Sequence, residues 1–320
     1  MRLQRIVMRS AACALGFLLV AGCTGPSSVL PSGGQGLTRI RVGVLPIISD
    51  GPVFVALQRG LFRAEGLDVT PVLLSTGQLA TRELISGRLE FAASNYVTMI
   101  LAASQGARLR IVADGSQTTP DTNVIMIPRG SRIHSVQDLR GKTIAINAVG
   151  NVGSLMVDTT LKTYSVPVDS VKFKIIPFPQ MTSALRTHAV DAAWMTEPFI
   201  TDAGEQAGAE ELVDTASGEM ASFPLTGYET LAGYAQRNPA AVAAFQRAIV
   251  RAQALAADRS VVEDALLTFI GGMTTPVLAA VHLDSYPTSI SQARLQQVAD
   301  AMLTSGMLKE SFDTRHLLAP

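Results

Sequence analysis

Residues 39–69 read RIRVGVLPIISDGPVFVALQRGLFRAEGLDV and contain the clearest pattern of secondary structure in the sequence. Apolar and polar residues alternate over residues 39–45, which predicts a strand. Pro52 suits a first helical turn, and Gly60 is placed to end the helix that follows. Residues 67–74 then predict a second strand. A strand–helix–strand unit of this kind is typical of an α/β protein with a parallel sheet covered by helices.

The same alternation continues along the chain and contains a faint internal repeat. Residues 84–92 and 185–193 each predict a helix end, a turn and a strand that begins apolar–acid–apolar–Ala, with Glu90 and Asp191 as the acids. A match this short can also arise by chance. As a true repeat, it predicts two facing lobes with a cleft at the carboxyl ends of their strands, where α/β sheets bind ligands.

Composition excludes several classes of protein. The 320 residues are 48% hydrophobic and 16% charged, which suits two folded lobes and excludes intrinsic disorder. The 26 basic and 26 acidic residues balance, so a nucleic-acid partner is not expected. The two cysteines cannot form a disulfide scaffold or a four-cysteine zinc site.

Catalytic chemistry is not expected either. The four histidines, His134, His188, His282 and His316, are scattered and match no metal-ligand spacing. The sequence has no Gly-x-Ser-x-Gly elbow for a nucleophilic serine. We therefore expect no catalytic residue, no metal and no cofactor.

The first 23 residues resemble a bacterial lipoprotein signal. Three arginines at positions 2, 5 and 9 precede an apolar stretch at residues 11–21, and the stretch ends in LVAGC at Cys23. We expect residues 1–23 to be a signal ending at a lipidated Cys23, and residues 24–37 to be a flexible tether. The mature protein would be extracytoplasmic and held at the cell membrane by its lipid alone. The alternative is an ordinary secretory signal in which the cysteine is coincidental.

Five segments, in this order and spacing, resemble type II periplasmic solute-binding proteins. They are VGVLP at 42–46, PVFVALQRGLF at 52–62, EGLDV at 65–69, SVQDLRGK at 135–142 and DAAWMTEP at 191–198. The nearest subgroup binds nitrate, alkanesulfonates, taurine or pyrimidine precursors of thiamine. The resemblance covers about residues 38–260. The family also includes a pyrimidine-forming enzyme that depends on a cysteine-rich motif, which this sequence lacks.

The resemblance implies a two-lobed Venus-flytrap fold, with each lobe a mixed, mostly parallel sheet flanked by helices. It places lobe 1 at residues 38–122 and 229–320, including C-terminal helices, and lobe 2 at residues 123–228. The chain would cross between lobes near residues 120–125 and 226–232. It further implies a monomer that captures a small organic solute and delivers it to an ABC permease and ATPase complex. A lipoprotein that senses or presents a ligand without transport is the alternative.

Loops at the predicted cleft supply the candidate ligand-binding residues. They are Ser49, Asp50, Gly51, Ser75, Thr76, Gln78, Ser94, Asn95, Tyr96, Gly150, Asn151, Ser154, Trp194 and Glu197, with Tyr228 and Glu229 as weaker candidates. Each also has a structural explanation, such as helix capping, a turn glycine or core packing of a lone tryptophan. These loops contain no Lys or Arg. Provided that neither Arg82 nor Arg186 points into the cleft, this favours a neutral or cationic heteroaromatic solute over nitrate or a sulfonate.

Overall fold

A computed structural model describes residues 36–318, which form ten strands and twelve α-helices joined by short loops and 3-10 turns. The predicted signal, tether and Cys23 lie outside these residues, apart from positions 36 and 37 of the tether. The strands are β1 (Thr38–Val44), β2 (Leu67–Leu73), β3 (Phe91–Asn95), β4 (Leu109–Gln117), β5 (Asn123–Ile127), β6 (Thr143–Ile146), β7 (Lys172–Ile175), β8 (Ala192–Thr196), β9 (Glu210–Asp214) and β10 (Pro224–Leu231). The helices are α1 (Gly51–Gln58), α2 (Leu61–Ala64), α3 (Gly77–Ile85), α4 (Tyr96–Ser104), α5 (Val152–Thr163), α6 (Phe178–Arg186), α7 (Phe199–Ala207), α8 (Ala232–Arg237), α9 (Pro239–Leu255), α10 (Arg259–Phe269), α11 (Thr275–Ala280) and α12 (Gln292–Ser305).

The strands form two five-stranded sheets of the same design. The order is β2-β1-β3-β10-β4 in one sheet and β7-β6-β8-β5-β9 in the other. In each, the first three strands are parallel and the fourth is antiparallel to its neighbours. The predicted fold class, two α/β lobes with mixed and mostly parallel sheets, is confirmed.

The internal repeat suggested by the sequence is a structural one. The Arg41 amide donates to Glu90 Oε2 at 2.7 Å, and the Thr143 amide donates to Asp191 Oδ2 at 2.8 Å. The amides of the two acids donate back to the carbonyls of Arg41 and Thr143 at 3.1 and 2.9 Å. Both acids therefore fasten the central parallel strands of their sheets in the same way.

The two crossings between lobes lie at residues 118–122 and 215–223. The second differs from the expected position at 226–232, because β10 begins at Pro224 and already belongs to the first sheet. Lobe 2 thus ends before the predicted boundary at residue 228. The start of β10 could not be predicted from alternation of polar and apolar residues. Seven of its eight residues are buried, including polar Thr226, Glu229 and Thr230.

The C-terminal segment contacts both lobes and is not confined to lobe 1 as expected. Helices α9 and α10 pack on α1 of the first lobe, whereas α12 packs on α4 of the first lobe and on α5 of the second. Lys162 Nζ, on α5, donates to the carbonyls of Thr304 and Ser305 at 3.4 and 3.2 Å. Between residues 36 and 318, no helix is both long and apolar enough to cross a membrane.

Candidate solute-binding cleft

The carboxyl ends of the parallel strands from both lobes meet around a small cavity of about 40 Å³. One water molecule needs roughly 10–15 Å³ of such space, so the cavity has room for a few water molecules or one small chemical group. Its lining is formed by Leu45, Ile47, Ser49, Asp50, Gly77, Ser94, Asn95, Leu225 and Thr226 of lobe 1, and by Asn123, Asn147, Asn151, Val152, Phe178, Trp194 and Thr196 of lobe 2.

The lobes touch directly around this cavity. Gln78 Nε2 of lobe 1 donates to the Val149 carbonyl of lobe 2 at 3.2 Å. The Ile48 amide donates to the Glu197 carbonyl at 3.3 Å. The His282 amide donates to Glu197 Oε1 at 3.2 Å. The conformation is therefore a closed one, in which a bound group would be held between the lobes.

Six of the fourteen predicted residues line the cavity: Ser49, Asp50, Ser94, Asn95, Asn151 and Trp194. Asn95 caps α4 by accepting from the Thr98 amide at 2.9 Å, and Asn151 caps α5 by accepting from the Ser154 amide at 3.1 Å. Capping and cavity lining coexist here because a helix that follows a parallel strand starts at the ligand-binding edge of the sheet.

The other eight predicted residues do not line the cavity. Thr76 caps α3, Ser154 completes the α5 cap, Gln78 makes the contact between lobes described above, and Ser75 lines a separate groove. Gly51 packs under Tyr286, where an added Cβ would lie 2.9 Å from the hydroxyl oxygen. Gly150 faces Leu101 of the other lobe, and its φ of +70° favours glycine.

Tyr96 and Glu197 are buried behind the cavity wall. The Tyr96 hydroxyl donates to Asp114 Oδ1 at 2.5 Å. Glu197 accepts from the amide and the hydroxyl of Thr201 at 3.1 and 2.8 Å. The weaker candidates, Tyr228 and Glu229, are also buried away from the cavity lining. The ring expected from Tyr96 is supplied instead by Phe178, whose centroid lies 5.9 Å from that of Trp194.

Four polar residues of the lining are not among the predicted binding residues: Asn123, Asn147, Thr196 and Thr226. Asn147 directly follows β6, and Asn123 begins β5 opposite Thr196, the last residue of β8. Each of these three residues lies at the end of a strand, which is the signal that could have indicated them. Thr226 gave no such signal because it lies within β10, the strand that enters the first sheet after the second crossing.

Asp50 is the only ionisable residue in the cavity lining among residues 36–318. Its Oδ2 accepts from the Leu45 amide at 2.6 Å. Burial, with a further contribution from the negative charge of Asp284, raises the pKa of Asp50 to about 7. Neither Arg82 nor Arg186 lines the cavity. The described chain also contains no group of three His, Cys, Asp or Glu residues placed to hold a metal ion.

A second buried carboxylate, Asp284, stands next to Asp50 and Ser49. Neither of its oxygens has a hydrogen-bond partner within the described chain. Burial raises the pKa of Asp284 to about 6, and the nearby hydroxyls of Ser49, Ser116 and Thr122 oppose this rise. At neutral pH Asp50 is thus about half ionised, with the mostly ionised Asp284 behind it, and no Lys or Arg in the lining balances their charge.

Stability is expected to fall as the pH rises from about 4 to 8. The buried carboxyls of Asp50 and Glu229 have pKa values near 7, and that of Asp284 is near 6. In an unfolded chain such groups titrate near pH 4, so over this window the folded state binds more protons than the unfolded state. Glu229→Gln should therefore weaken the pH dependence of the melting temperature and raise stability at pH 8 by about 1–3 kcal/mol.

Glu310→Gln, at an exposed position, is the matched control. The melting temperatures of both variants and of the wild type are measured at pH 5 and at pH 8. Equal pH dependence in all three proteins would refute the assignment of the buried carboxyl at Glu229.

Two lobes closed around a cavity that carries hydrogen-bonding groups from both, at the carboxyl ends of their strands, define a two-lobed solute-binding protein. The chain belongs to the NMT1/THI5-like family, whose model matches residues 49–260. The resemblance to solute-binding proteins seen in the sequence is confirmed by this match and by the fold.

Known proteins share the fold at low sequence identity. A Bacillus subtilis protein named as a binding protein is 24% identical over 221 residues, which is 68% of this chain and 66% of that protein. The alkanesulfonate-binding protein of Xanthomonas axonopodis superimposes with a TM-score of 0.75 at 19% identity, covering 88% of this chain and 98% of that one. The nitrate-binding protein of Synechocystis gives a TM-score of 0.71 at 14% identity, covering 87% and 84%. Identity at this level shows the shared fold alone.

Proposed function

We propose that the protein is an extracytoplasmic receptor that captures a small organic solute between its lobes and delivers it to an ABC permease and ATPase complex. It acts as a monomer and has no catalytic role. The observation that carries the proposal is the closed cavity between the lobes, lined by hydrogen-bonding groups from both. The family match supports the same function, since the relatives described above are named as binding proteins.

The charge of the cavity selects a neutral or cationic solute. An anion would be placed beside Asp50, with Asp284 behind it and no Lys or Arg in the lining. Such an arrangement is unfavourable because a buried charge needs a partner of opposite sign. A protonated amine or an amine-bearing ring would instead donate hydrogen bonds to Asp50 and to the amide oxygens of the asparagines. This selection separates the protein from the nitrate and alkanesulfonate binders that share its fold.

A thermal-shift screen tests the function. The panel contains alkylamines, aminopyrimidines, nitrate, taurine and alkanesulfonates. A ligand present at 100 times its dissociation constant stabilises the folded protein by about 2.7 kcal/mol, which raises the melting temperature by several degrees. We expect amines or aminopyrimidines to do so. A shift produced only by the anions would overturn the charge selection and leave solute capture intact.

Cys23→Ala should release the protein from the membrane or block its processing. The reason is that Cys23 ends the predicted signal and would carry the only lipid that holds the protein at the membrane. Fractionation of cells expressing each form measures the effect, with Cys13→Ala as the matched control inside the removed segment. Unchanged membrane association of the Cys23 variant would contradict the anchor.

A further inference from the structure

An apolar groove opens beside the cavity, on the outer side of the seam between the lobes. Its volume is about 260 Å³. It is lined by Leu45, Pro46, Ile47, Leu73, Leu74 and Ser75 of lobe 1, and by Pro177, Phe178, Pro179 and Phe199 of lobe 2. Nine of these ten residues are apolar, and Leu73 is 54% exposed at the end of β2.

The groove and the cavity share part of their walls. Leu45, Ile47 and Phe178 line both spaces. Leu45 and Ile47 belong to lobe 1 and Phe178 belongs to lobe 2, so the boundary between the two spaces coincides with the seam between the lobes. A chain that leaves the cavity toward the groove would therefore pass between side chains contributed by separate lobes.

The two spaces differ in size and in chemistry. The cavity is small, carries the Asp50 carboxylate and is rich in asparagine, which suits a compact hydrogen-bonding or cationic group. The groove is several times larger and has no charged side chain in its lining. Together they match one molecule with a polar end and an apolar end.

We infer that the solute is amphiphilic: its neutral or cationic head lies in the cavity, and an alkyl or aryl substituent lies in the groove. This inference rests on the proposed function and adds the apolar part of the solute class. When the lobes close, the junction between head and substituent would be in contact with Leu45, Ile47 and Phe178. The groove would then determine which substituents are accepted.

Titration calorimetry of unbranched alkylamines from three to eight carbons tests this inference. Each methylene buried in the groove should strengthen binding about fourfold, until the groove is filled. Leu73→Asp places a charge in the groove at a largely exposed position and should remove most of this dependence on chain length. Leu255→Asp, at a leucine that is 41% exposed and lies outside the groove, is the matched control and should keep it.

A parallel series of alkanesulfonates distinguishes a failure of the groove proposal from a failure of the charge selection. Affinity that rises with chain length in either series, and is flattened by Leu73→Asp, supports the groove. A rise confined to the sulfonates supports the groove and overturns the charge selection. Amines that bind with equal affinity at all lengths leave the proposed function standing and overturn the groove, as does a dependence on length that survives Leu73→Asp. Failure of both series to bind at any length also overturns the inference.

Discussion

Replacing Gly153 with alanine is expected to weaken both folding and solute binding. Gly153 lies in the first turn of α5, directly under Trp194, and an added Cβ would lie 2.6 Å from the Cε3 and Cζ3 atoms of its ring. The ring cannot move away freely, because Trp194 Nε1 donates to the Thr215 hydroxyl at 3.0 Å. The displaced ring would enter the cavity that it lines.

The expected loss of stability is about 1–3 kcal/mol from overpacking, reduced by the gain of up to about 1 kcal/mol that alanine brings to a helix. Binding of any solute in the cavity should weaken at least tenfold. Gly204→Ala is the matched control, because the nearest atom to its added Cβ lies 3.9 Å away and α7 should simply gain helix propensity. Denaturant unfolding and calorimetry measure the two effects. Equal behaviour of the two variants would show that Trp194 is not held against α5.

Asp50→Asn should have opposite effects on binding and on stability. Asparagine retains an oxygen that can accept from the Leu45 amide and removes the charge that burial disfavours. The free energy of unfolding at pH 8 should therefore stay equal or rise. The affinity for hexylamine should fall about 10- to 100-fold, the range for a charge-assisted hydrogen bond.

The wild type should show the same effect as a pH dependence. Its affinity for hexylamine should decline below about pH 7, as Asp50 takes up a proton, and this decline should be absent in Asp50→Asn. Asp158→Asn is the control, because burial also raises the pKa of Asp158, to about 6, at a position outside the cavity. Amine affinity that is unchanged in Asp50→Asn would remove the carboxylate from the site.

The sequence predicted the parts of the site that local patterns encode. Asn95 is the last residue of β3 and Asn151 lies in the loop after β6, and each immediately precedes a helix, which marks both a cap and a position at the ligand-binding edge. Asp50 and Ser49 were predicted in the same way, from the loop between β1 and α1. The acids Glu90 and Asp191 indicated the repeat because each follows a predicted helix end at the same spacing.

The parts that could not be predicted depend on contacts between distant segments. Tyr96 was expected to face a ligand, but its hydroxyl donates a hydrogen bond to Asp114 on β4, a partner that no local pattern indicates. Phe178 was missed because its place in the cavity depends on how the lobes close. The second crossing, at 215–223, was predicted too far along the chain because β10 buries Thr226 and Glu229 among neighbouring strands. Periodicity alone cannot identify a central strand with polar residues inside.

Trp194 offers the most direct test of solute capture in the cavity. It is the only tryptophan in the 320 residues, and it lines the cavity, so we expect a solute that enters to change its fluorescence. Titration of the wild type with hexylamine, 4-aminopyrimidine, nitrate and hexanesulfonate gives the result. We expect a saturable change with at least one amine-bearing compound and none with the two anions. A saturable change with nitrate or hexanesulfonate, and none with the amines, would contradict the account.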